Sequence, residues 1–271
     1  INSVDPNFKM PQVWKTSLAL DYEVPVDFPL FVTVEGIATK NINGVMLKNL
    51  NLEQPDATWE RFSGPDNRYI YPSSADIEYT SRDAFALSNN SEGWGAIGNI
   101  TVNAEPIKDL KLMAAYTYTE SQELSGMPGS SASSAYNGLI SINGPHLPNL
   151  ERSQFVVPSK VIASASYKIP WATDKFKSST LVNVFYSGSN SYTYGYTYSN
   201  DMNNDGYRTD LIYIPSGRGD INFISQADED AFFNFMEQDS YLKANKGEYA
   251  GANSAVAPWV HNFDLRILRE Y

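Results

Sequence analysis

The 271-residue sequence predicts an all-β fold: an antiparallel transmembrane β-barrel portion with long external loops and one short loop helix. Three observations support this prediction. Seven segments alternate apolar and polar residues with a period of two, which is typical of strands with different surroundings on their two faces. The connections between the segments alternate in length, first short and then long. Tyrosines on the apolar faces lie near strand ends, where an aromatic girdle sits in a membrane barrel.

The alternation predicts strands at 12–24, 30–40, 93–104, 110–120, 160–169, from 180 onward, and 259–271. In the first strand Trp14, Leu18 and Leu20 share one face, while Lys15 and Asp21 lie on the other. Three pairs of strands are joined by five to ten residues, so each pair is expected to form an antiparallel hairpin. Polar regions rich in Asn, Ser, Gly and Pro separate the hairpins. The girdle tyrosines are Tyr22, Tyr116, Tyr118, Tyr167 and Tyr186.

The alternating pattern is open to another interpretation, and the number of strands predicts that further strands complete the structure. A soluble β-sandwich also alternates apolar and polar residues, so only the loop lengths and the aromatic positions favour the barrel. Seven is an odd number of strands, whereas bacterial single-chain barrels have an even number. The first and last strands would leave bare edges in lipid, where unpaired backbone groups are costly. We therefore expect the sequence to form part of a larger barrel.

Composition excludes several classes of function. The net charge of −11 and the lack of a basic stripe argue against nucleic acid as a partner. There is no cysteine, so disulfides and thiolate metal sites are excluded, and the two histidines are far apart in sequence. No phosphate loop, zinc motif or Ser-His-Asp order is present, so we expect no enzyme.

One polar segment resembles the first half of a calcium-binding loop. Oxygen-bearing side chains at Asp201, Asn203 and Asp205 occupy positions 1, 3 and 5 of such a loop, and Gly206 provides the turn. The carbonyl of Tyr207 would be the ligand at position 7. Asp210 would substitute for the bidentate glutamate expected at position 12. The alternative is a solvated turn in which these side chains cap their own backbone.

Four tyrosines precede this segment at the spacing of a strand, namely Tyr192, Tyr194, Tyr196 and Tyr198. Their rings could stack on carbohydrate, since they combine flat apolar faces with hydroxyl groups. The other interpretation is that they form the rim of the barrel, on a strand that emerges from the membrane.

The stretch 225–247 is predicted to be a helix in the last long loop. Ser225 and Asp228 resemble a capping box, and Phe232, Phe233, Phe235 and Met236 recur at helical spacing. Such a helix could contact a surface lipoprotein or cover a binding cavity; alternatively, it packs its phenylalanines on its own loops.

Three segments, in order along the chain, resemble a known family. They are 5–14 (DPNFKMPQVW), 201–206 (DMNNDG) followed by 210–215 (DLIYIP), and 241–247 (YLKANKG) together with 257–266 (APWVHNFDLR). They are similar to the barrel region of Oar-like and SusC-like TonB-dependent transporters. The chain lacks a segment resembling the plug or the TonB box of that family. On this resemblance residues 1–271 correspond to a partial barrel domain.

The resemblance implies a fold, a location and an activity. The family fold is a 22-stranded barrel in the outer membrane of Gram-negative bacteria, closed by a plug. It imports a nutrient ligand such as an oligosaccharide, a peptide or a chelate, using energy relayed by TonB through the plug. The implied partners are outer-membrane lipid, the rest of the barrel and the plug. The alternative that the residues leave open is a soluble or surface-anchored β-sandwich that binds glycans and carries a calcium loop.

Overall fold

The computed structural model describes residues 1–73, 75, 83–173 and 176–270. The strands are β1 Asn2–Val4, β2 Gln12–Glu23, β3 Leu30–Asn49, β4 Phe85–Asn90, β5 Trp94–Ile107, β6 Leu110–Glu123, β7 Glu151–Arg152, β8 Ser159–Thr173, β9 Phe176–Asn190, β10 Thr193–Tyr194, β11 Ala255–Val256 and β12 Trp259–Glu270. The helices are α1 Ala132–Asn137, α2 Gln226–Gln238 and α3 Ser240–Ala244. The prediction of a mainly β chain is confirmed.

Seven long strands form one antiparallel sheet in the order β2-β3-β5-β6-β8-β9-β12. Each corresponds to one of the predicted strands. β4 pairs with the far end of β3, β1 runs parallel to β4, and β7 pairs with the end of β6. Consecutive strands of such a meander are connected at alternating ends. All three long connections therefore lie at one end of the sheet and all three short connections at the other.

The strand register aligns apolar side chains into continuous rows on one face, because directly paired residues point to the same side of a sheet. One row consists of Leu20, Val34, Ile100, Tyr116, Val161, Gly188 and His261. The next consists of Tyr22, Val32, Val102, Ala114, Ala163, Tyr186 and Phe263. We call this side the apolar face.

The opposite side, the polar face, carries mostly hydroxyl, amide and charged groups. A row between the two described above consists of Asp21, Thr33, Thr101, Ala115, Ile162, Ser187 and Asn262. Asn99 accepts a hydrogen bond from the Thr117 hydroxyl at 3.0 Å and donates one to Thr101 at 3.2 Å. Polar groups on this face therefore bond across and along the strands.

Several strand ends differ from the prediction. β3 continues to Asn49, nine residues past the predicted end at 40, because its far half gains a second partner in β4. β8 continues to Thr173 and β9 begins at Phe176, so strands occupy most of the segment 170–176, which was predicted to be a turn. Residues 174–175 lie outside the described residues, as does Tyr271 at the predicted end of the last strand.

The long connections 50–93, 124–158 and 191–258 pack on one another, and we call this assembly the loop cap. One apolar cluster combines Leu211, Ile214 and Met236 of the third connection with Ile140 and Ile142 of the second. A second cluster joins all three connections to the end of β3; its buried members are Leu47, Phe85, Ala135, Tyr136 and Tyr207. Within the described ranges, no helix is both long enough and apolar enough to cross a bilayer.

Candidate functional site

The segment 201–210 lies at the centre of the loop cap. Asn203, Asp205 and Asp210 are almost completely buried, with at most 1% of each residue exposed. The first and third connections meet here: the Tyr71 N–H donates to the Asn203 carbonyl at 2.7 Å, and the Asn204 amide donates to the Tyr71 carbonyl at 2.8 Å. Asn203, Asp205 and Asp210 are therefore held inside the protein, whereas Asp201 is partly buried. The alternative interpretation is met in part, because side chains of the segment cap their own backbone although the turn is not fully solvated.

Backbone N–H groups of the segment donate hydrogen bonds to the segment's own carboxylates. Gly206 N–H donates to Asp201 Oδ2 at 2.7 Å, Tyr207 N–H to Asp205 Oδ1 at 2.8 Å, and Met202 N–H to Asp210 Oδ2 at 2.8 Å. Gly206 has a φ of 88°, which a glycine adopts without strain. These bonds leave Asp201 Oδ1 and Asp210 Oδ1 buried without a hydrogen-bond donor. An acceptor in that situation is costly unless a cation or a proton satisfies it.

The segment carries more negative charge than its surroundings neutralise. Burial and, to a smaller extent, the charges of Asp210 and Asp201 together raise the pKa of Asp205 to about 7, although the hydrogen bond from the Tyr207 N–H lowers it. Burial also raises the pKa of Asp210. The nearest cation to Asp210 is the guanidinium of Arg68, whose Nη1 lies 3.9 Å from Asp210 Oδ1.

The calcium prediction is neither confirmed nor excluded by this geometry. Among the described residues, no three Asp, Glu, His or Cys side chains converge as a metal-binding group. The Tyr207 side chain serves packing: its ring meets Tyr136 edge-on at 5.4 Å, and its hydroxyl donates to Asp83 at 2.9 Å. Gly144 lies so close to Asp205 that an added Cβ would be 1.7 Å from Oδ2.

Arg68 is a central residue of the loop cap that sequence reasoning missed. Its side chain is completely buried, and Nε bonds both oxygens of Asp66 at 2.9 and 3.1 Å. Nη2 donates to the Leu211 carbonyl at 2.7 Å and Nη1 to the Ile142 carbonyl at 3.4 Å. One cation thus joins all three connections. The sequence carries no signal for this role, because Arg68 stands in a polar stretch beside other charged residues.

The predicted tyrosine strand is wrong. β9 ends at Asn190, and Thr193–Tyr194 forms only a two-residue pair with β11. Tyr196 stacks on Tyr241 at 6.2 Å and donates a 2.5 Å hydrogen bond to Asp239, so it packs inside the cap. Both described partners of β9 stop at this point: β8 pairs up to Lys160, opposite Ser189, and β12 begins at Trp259, opposite Asn190.

The four tyrosines consequently have different surroundings. Tyr198 packs against the first cluster, and its ring lies 5.2 Å from the Arg68 guanidinium carbon. Tyr192 is 62% exposed and its ring lies 6.1 Å from that of Tyr194. Tyr192 therefore has an exposed ring, whereas Tyr194, Tyr196 and Tyr198 are partly buried.

The single helix predicted over 225–247 is two helices, which meet at Asp239. Ser225 caps α2 by accepting from the Asp228 N–H at 3.2 Å, but the predicted capping box is incomplete, because the Asp228 carboxylate accepts from the Ser225 hydroxyl rather than from its backbone N–H. Asp239 has a non-helical ψ of 120° and caps α3 by accepting from the Leu242 N–H at 2.8 Å. Phe232 and Phe233 pack on the first cluster, but Phe235 is 50% exposed. A further helix, α1, was not predicted; Ser131 caps it through a serine-only capping box.

Comparison of this chain with models of protein families, with curated proteins and with solved structures gave no match.

Proposed function

We propose that this chain forms part of the wall and the external cap of an outer-membrane β-barrel that imports a nutrient ligand with energy relayed by TonB. The observation that carries the proposal is the apolar face, on which the row from Tyr22 to Phe263 is apolar or aromatic across all seven long strands. The three motifs that resemble Oar-like and SusC-like transporters point to the same function.

The apolar face has the properties that lipid requires. Leu20, Phe263 and Leu265 are about two-thirds to three-quarters exposed, at 67%, 74% and 67%. Water is a poor solvent for such a surface, at about 25 cal/mol for each Å² exposed. Strands of 12 to 15 residues, as in β2, β5, β6, β8, β9 and β12, exceed the roughly 9–11 residues that cross a bilayer.

Aromatic side chains bound the apolar face at both ends. Trp14, Trp94 and Trp259 lie towards the loop cap, whereas Tyr22, Tyr167 and Trp171 lie towards the short connections. Amphipathic rings at two levels are typical of the two membrane interfaces. The loop cap then faces the exterior and the short connections face the periplasm.

The two sheet edges support a larger assembly. Among the described residues, β2 pairs only with β3 and β12 only with β9. Unpaired backbone groups in lipid cost several kcal/mol each, so both edges need a neighbouring strand. In this proposal those strands complete the barrel. The polar face lines its interior, where hydroxyl and amide groups suit a hydrated ligand path.

The membrane proposal can be tested by scanning β6, because the chain contains no cysteine. Single cysteines at positions 112 to 116, labelled with an environment-sensitive fluorophore, are placed in bilayers that contain nitroxide lipids. We expect quenching at Leu112, Ala114 and Tyr116 and none at Met113 and Ala115. Equal quenching at all five positions, or none, would reject a lipid-facing sheet. A soluble sandwich would give no quenching and would fold in buffer without detergent.

Import is tested separately in cells that produce or lack the complete transporter. Uptake of labelled oligosaccharides, oligopeptides and iron chelates is compared, with and without a protonophore. We expect one class to enter only in producing cells and only with an intact proton gradient. Uptake that is insensitive to the protonophore would exclude a TonB-driven process.

We further propose that segment 201–210 binds Ca²⁺ and so stabilises the loop cap. The support is the buried, donor-free Oδ1 atoms of Asp201 and Asp210. We expect Ca²⁺ to raise the melting temperature, and Asp201→Asn and Asp210→Asn to abolish that rise. Asp220→Asn is the control, since Asp220 lies outside the segment and its carboxylate is bonded within its own turn. A Ca²⁺-independent melting temperature in the native chain would reject the site.

Two surfaces of the cap are proposed for recognition. The exposed Tyr192 and its partly buried neighbour Tyr194 form a pair of rings suited to a sugar, and α2 exposes Phe235 to a partner such as a surface lipoprotein. Tyr192→Ala with Tyr194→Ala is expected to weaken glycan binding, with Tyr213→Phe, at a buried ring, as the control. Binding that survives the double change would exclude the tyrosine pair.

A further inference from the structure

A small cavity lies between β6, β7 and the third connection, away from segment 201–210. Its volume is about 60 Å³, which accommodates about two water molecules. Glu123, Glu151, Asn149, Gln154 and Asn253 line it. Glu123 and Glu151 are directly paired across the β6–β7 ladder. Directly paired side chains in a sheet have Cβ atoms about 4.5–5.5 Å apart, so two carboxyl groups meet at this cavity.

Glu151 fastens the segment Gly251–Ser254 to the sheet. Its Oε2 accepts a hydrogen bond from the Ala252 N–H at 3.1 Å. The neighbouring Arg152 reinforces the contact from its backbone, since its carbonyl accepts from the Asn253 amide at 2.9 Å. The segment links α3 to β11 and β12, so its attachment determines how the third connection sits on the sheet.

Neither glutamate of the pair forms an ion pair within the described residues. The Arg152 guanidinium bonds Glu120 at 2.7 and 2.9 Å, and its Nη1 also donates to the Ser254 carbonyl at 3.2 Å, so Arg152 is a second attachment of the segment Gly251–Ser254. The Tyr241 hydroxyl, from α3, accepts from the Gly251 N–H at 2.7 Å. Glu123 Oε1 is buried without a hydrogen-bond donor. The charged and titratable groups around Glu151 are thus Glu123, Glu120, Arg152 and Tyr241.

We propose that Glu151 is a proton-operated latch: the protonated carboxyl donates to Glu123 and holds Gly251–Ser254 on the sheet, and its ionisation releases that segment. The proton gives the buried Glu123 Oε1 the donor that it otherwise lacks. When both groups are ionised, two like charges oppose each other across the ladder, which is destabilising. This inference holds whether or not the sheet lies in a membrane, and whether or not the protein transports a ligand.

The sign of the pH dependence follows from burial. Burial raises the pKa of Glu151 to about 7, from an ordinary value of 4.5. The closed segment therefore retains a proton that the open segment loses. The closed state is favoured fully below the ordinary value, and this advantage is lost as the pH rises through about 7.

Amide hydrogen exchange between pH 5 and 8.5, corrected for the intrinsic rate, tests the latch in the detergent-solubilised protein. We expect the protection of the Ala252 amide to fall by roughly tenfold to a hundredfold across pH 7. The Ile214 amide, which donates to the Glu248 carbonyl elsewhere in the cap, is the internal reference and stays constant.

Variants separate this mechanism from a general loosening of the loop cap. Glu151→Gln is expected to keep Ala252 protected at every pH, and Glu123→Gln to move the midpoint of opening to lower pH. Glu105→Gln, at an exposed ion pair with Lys111, is the matched control and leaves the profile unchanged. A flat profile in the native chain, or an unchanged midpoint in Glu123→Gln, would overturn the proposal.

Discussion

At the scale of single residues, Arg68 shows how a buried charge can organise three distant chain segments. Its guanidinium contacts groups from all three connections, at Asp66, Ile142 and Leu211. Each of its three nitrogens donates to an acceptor, Nη1 also lies 3.9 Å from Asp210 Oδ1, and the Tyr198 and Tyr249 rings cover the guanidinium at 5.2 and 5.4 Å. Removing it would leave Asp66 and Asp210 as carboxylates without their cation.

Arg68→Met is expected to destabilise the loop cap by about 3–5 kcal/mol, the usual cost of removing one partner of a buried ion pair. Arg61→Met is the matched control, since Arg61 is exposed and bonds only its own turn, at the Asn67 carbonyl. We expect the control to cost less than about 1 kcal/mol. Denaturant unfolding of both variants measures the difference, and equal losses would contradict the central role of Arg68.

Gly144→Ala is expected to destabilise the cap by about 2–4 kcal/mol, because it combines backbone strain with a collision. Gly144 has a φ of 79°, and the added Cβ would meet Asp205 Oδ2. Gly64→Ala separates the two effects: its φ is 108°, but no atom lies within 4 Å of the added Cβ. The control is expected to cost about 1 kcal/mol. Similar melting temperatures for the two variants would show that Asp205 moves aside freely.

At the scale of elements, the sequence predicts strands better than loops for a physical reason. Each long strand alternates residues between two different surroundings, so its pattern is contained in about ten consecutive residues. The structure confirms all seven, from Gln12–Glu23 to Trp259–Glu270. The errors are at strand ends: β3 is lengthened by β4, which lies more than 30 residues later in the chain.

The site is only partly predictable from sequence because its contacts are non-local. The spacing of Asp201, Asn203 and Asp205 gave the turn and its glycine. It gave no indication that Tyr71 and Gly144 enclose the segment. The tyrosine spacing was misleading, because a period of two makes a strand only where a neighbouring strand offers backbone partners.

The break between α2 and α3 also involves a contact between residues that are distant in sequence, and substitutions can test it. Asp239 ends α2, caps α3 at Leu242 and accepts from the Tyr196 hydroxyl. Asp239→Ala is therefore expected to cost about 2–3 kcal/mol, the sum of a lost cap and a lost buried hydrogen bond. Ser225→Ala, which removes only the cap of α2, is expected to cost about 1 kcal/mol. Thermal unfolding compares them, and equal costs would mean that the Tyr196 bond contributes nothing.

At the scale of the whole molecule, the two faces of the sheet and the two kinds of connection are consistent with the same proposed orientation in a membrane. The apolar rows, the aromatic ends of the strands and the long connections at one end each follow from different residues. The proposed membrane-spanning structure requires all three features together, and it requires the long polar loops to fold outside the bilayer. The loop cap folds around apolar clusters of its own, such as Leu211, Ile214 and Met236.

The opposed faces give the sharpest prediction at this scale. Val102 belongs to an apolar row and Thr101, its neighbour in β5, to a polar row. Val102→Lys is expected to destabilise the bilayer-embedded protein by about 2–4 kcal/mol, because lysine near the bilayer midplane loses its hydration. Thr101→Lys places the same charge on the polar face and is expected to cost less than about 1 kcal/mol. Urea unfolding in lipid vesicles measures both. Equal tolerance of lysine at the two positions would mean that the face carrying Val102 does not contact lipid, and the barrel interpretation would then fail at its central observation.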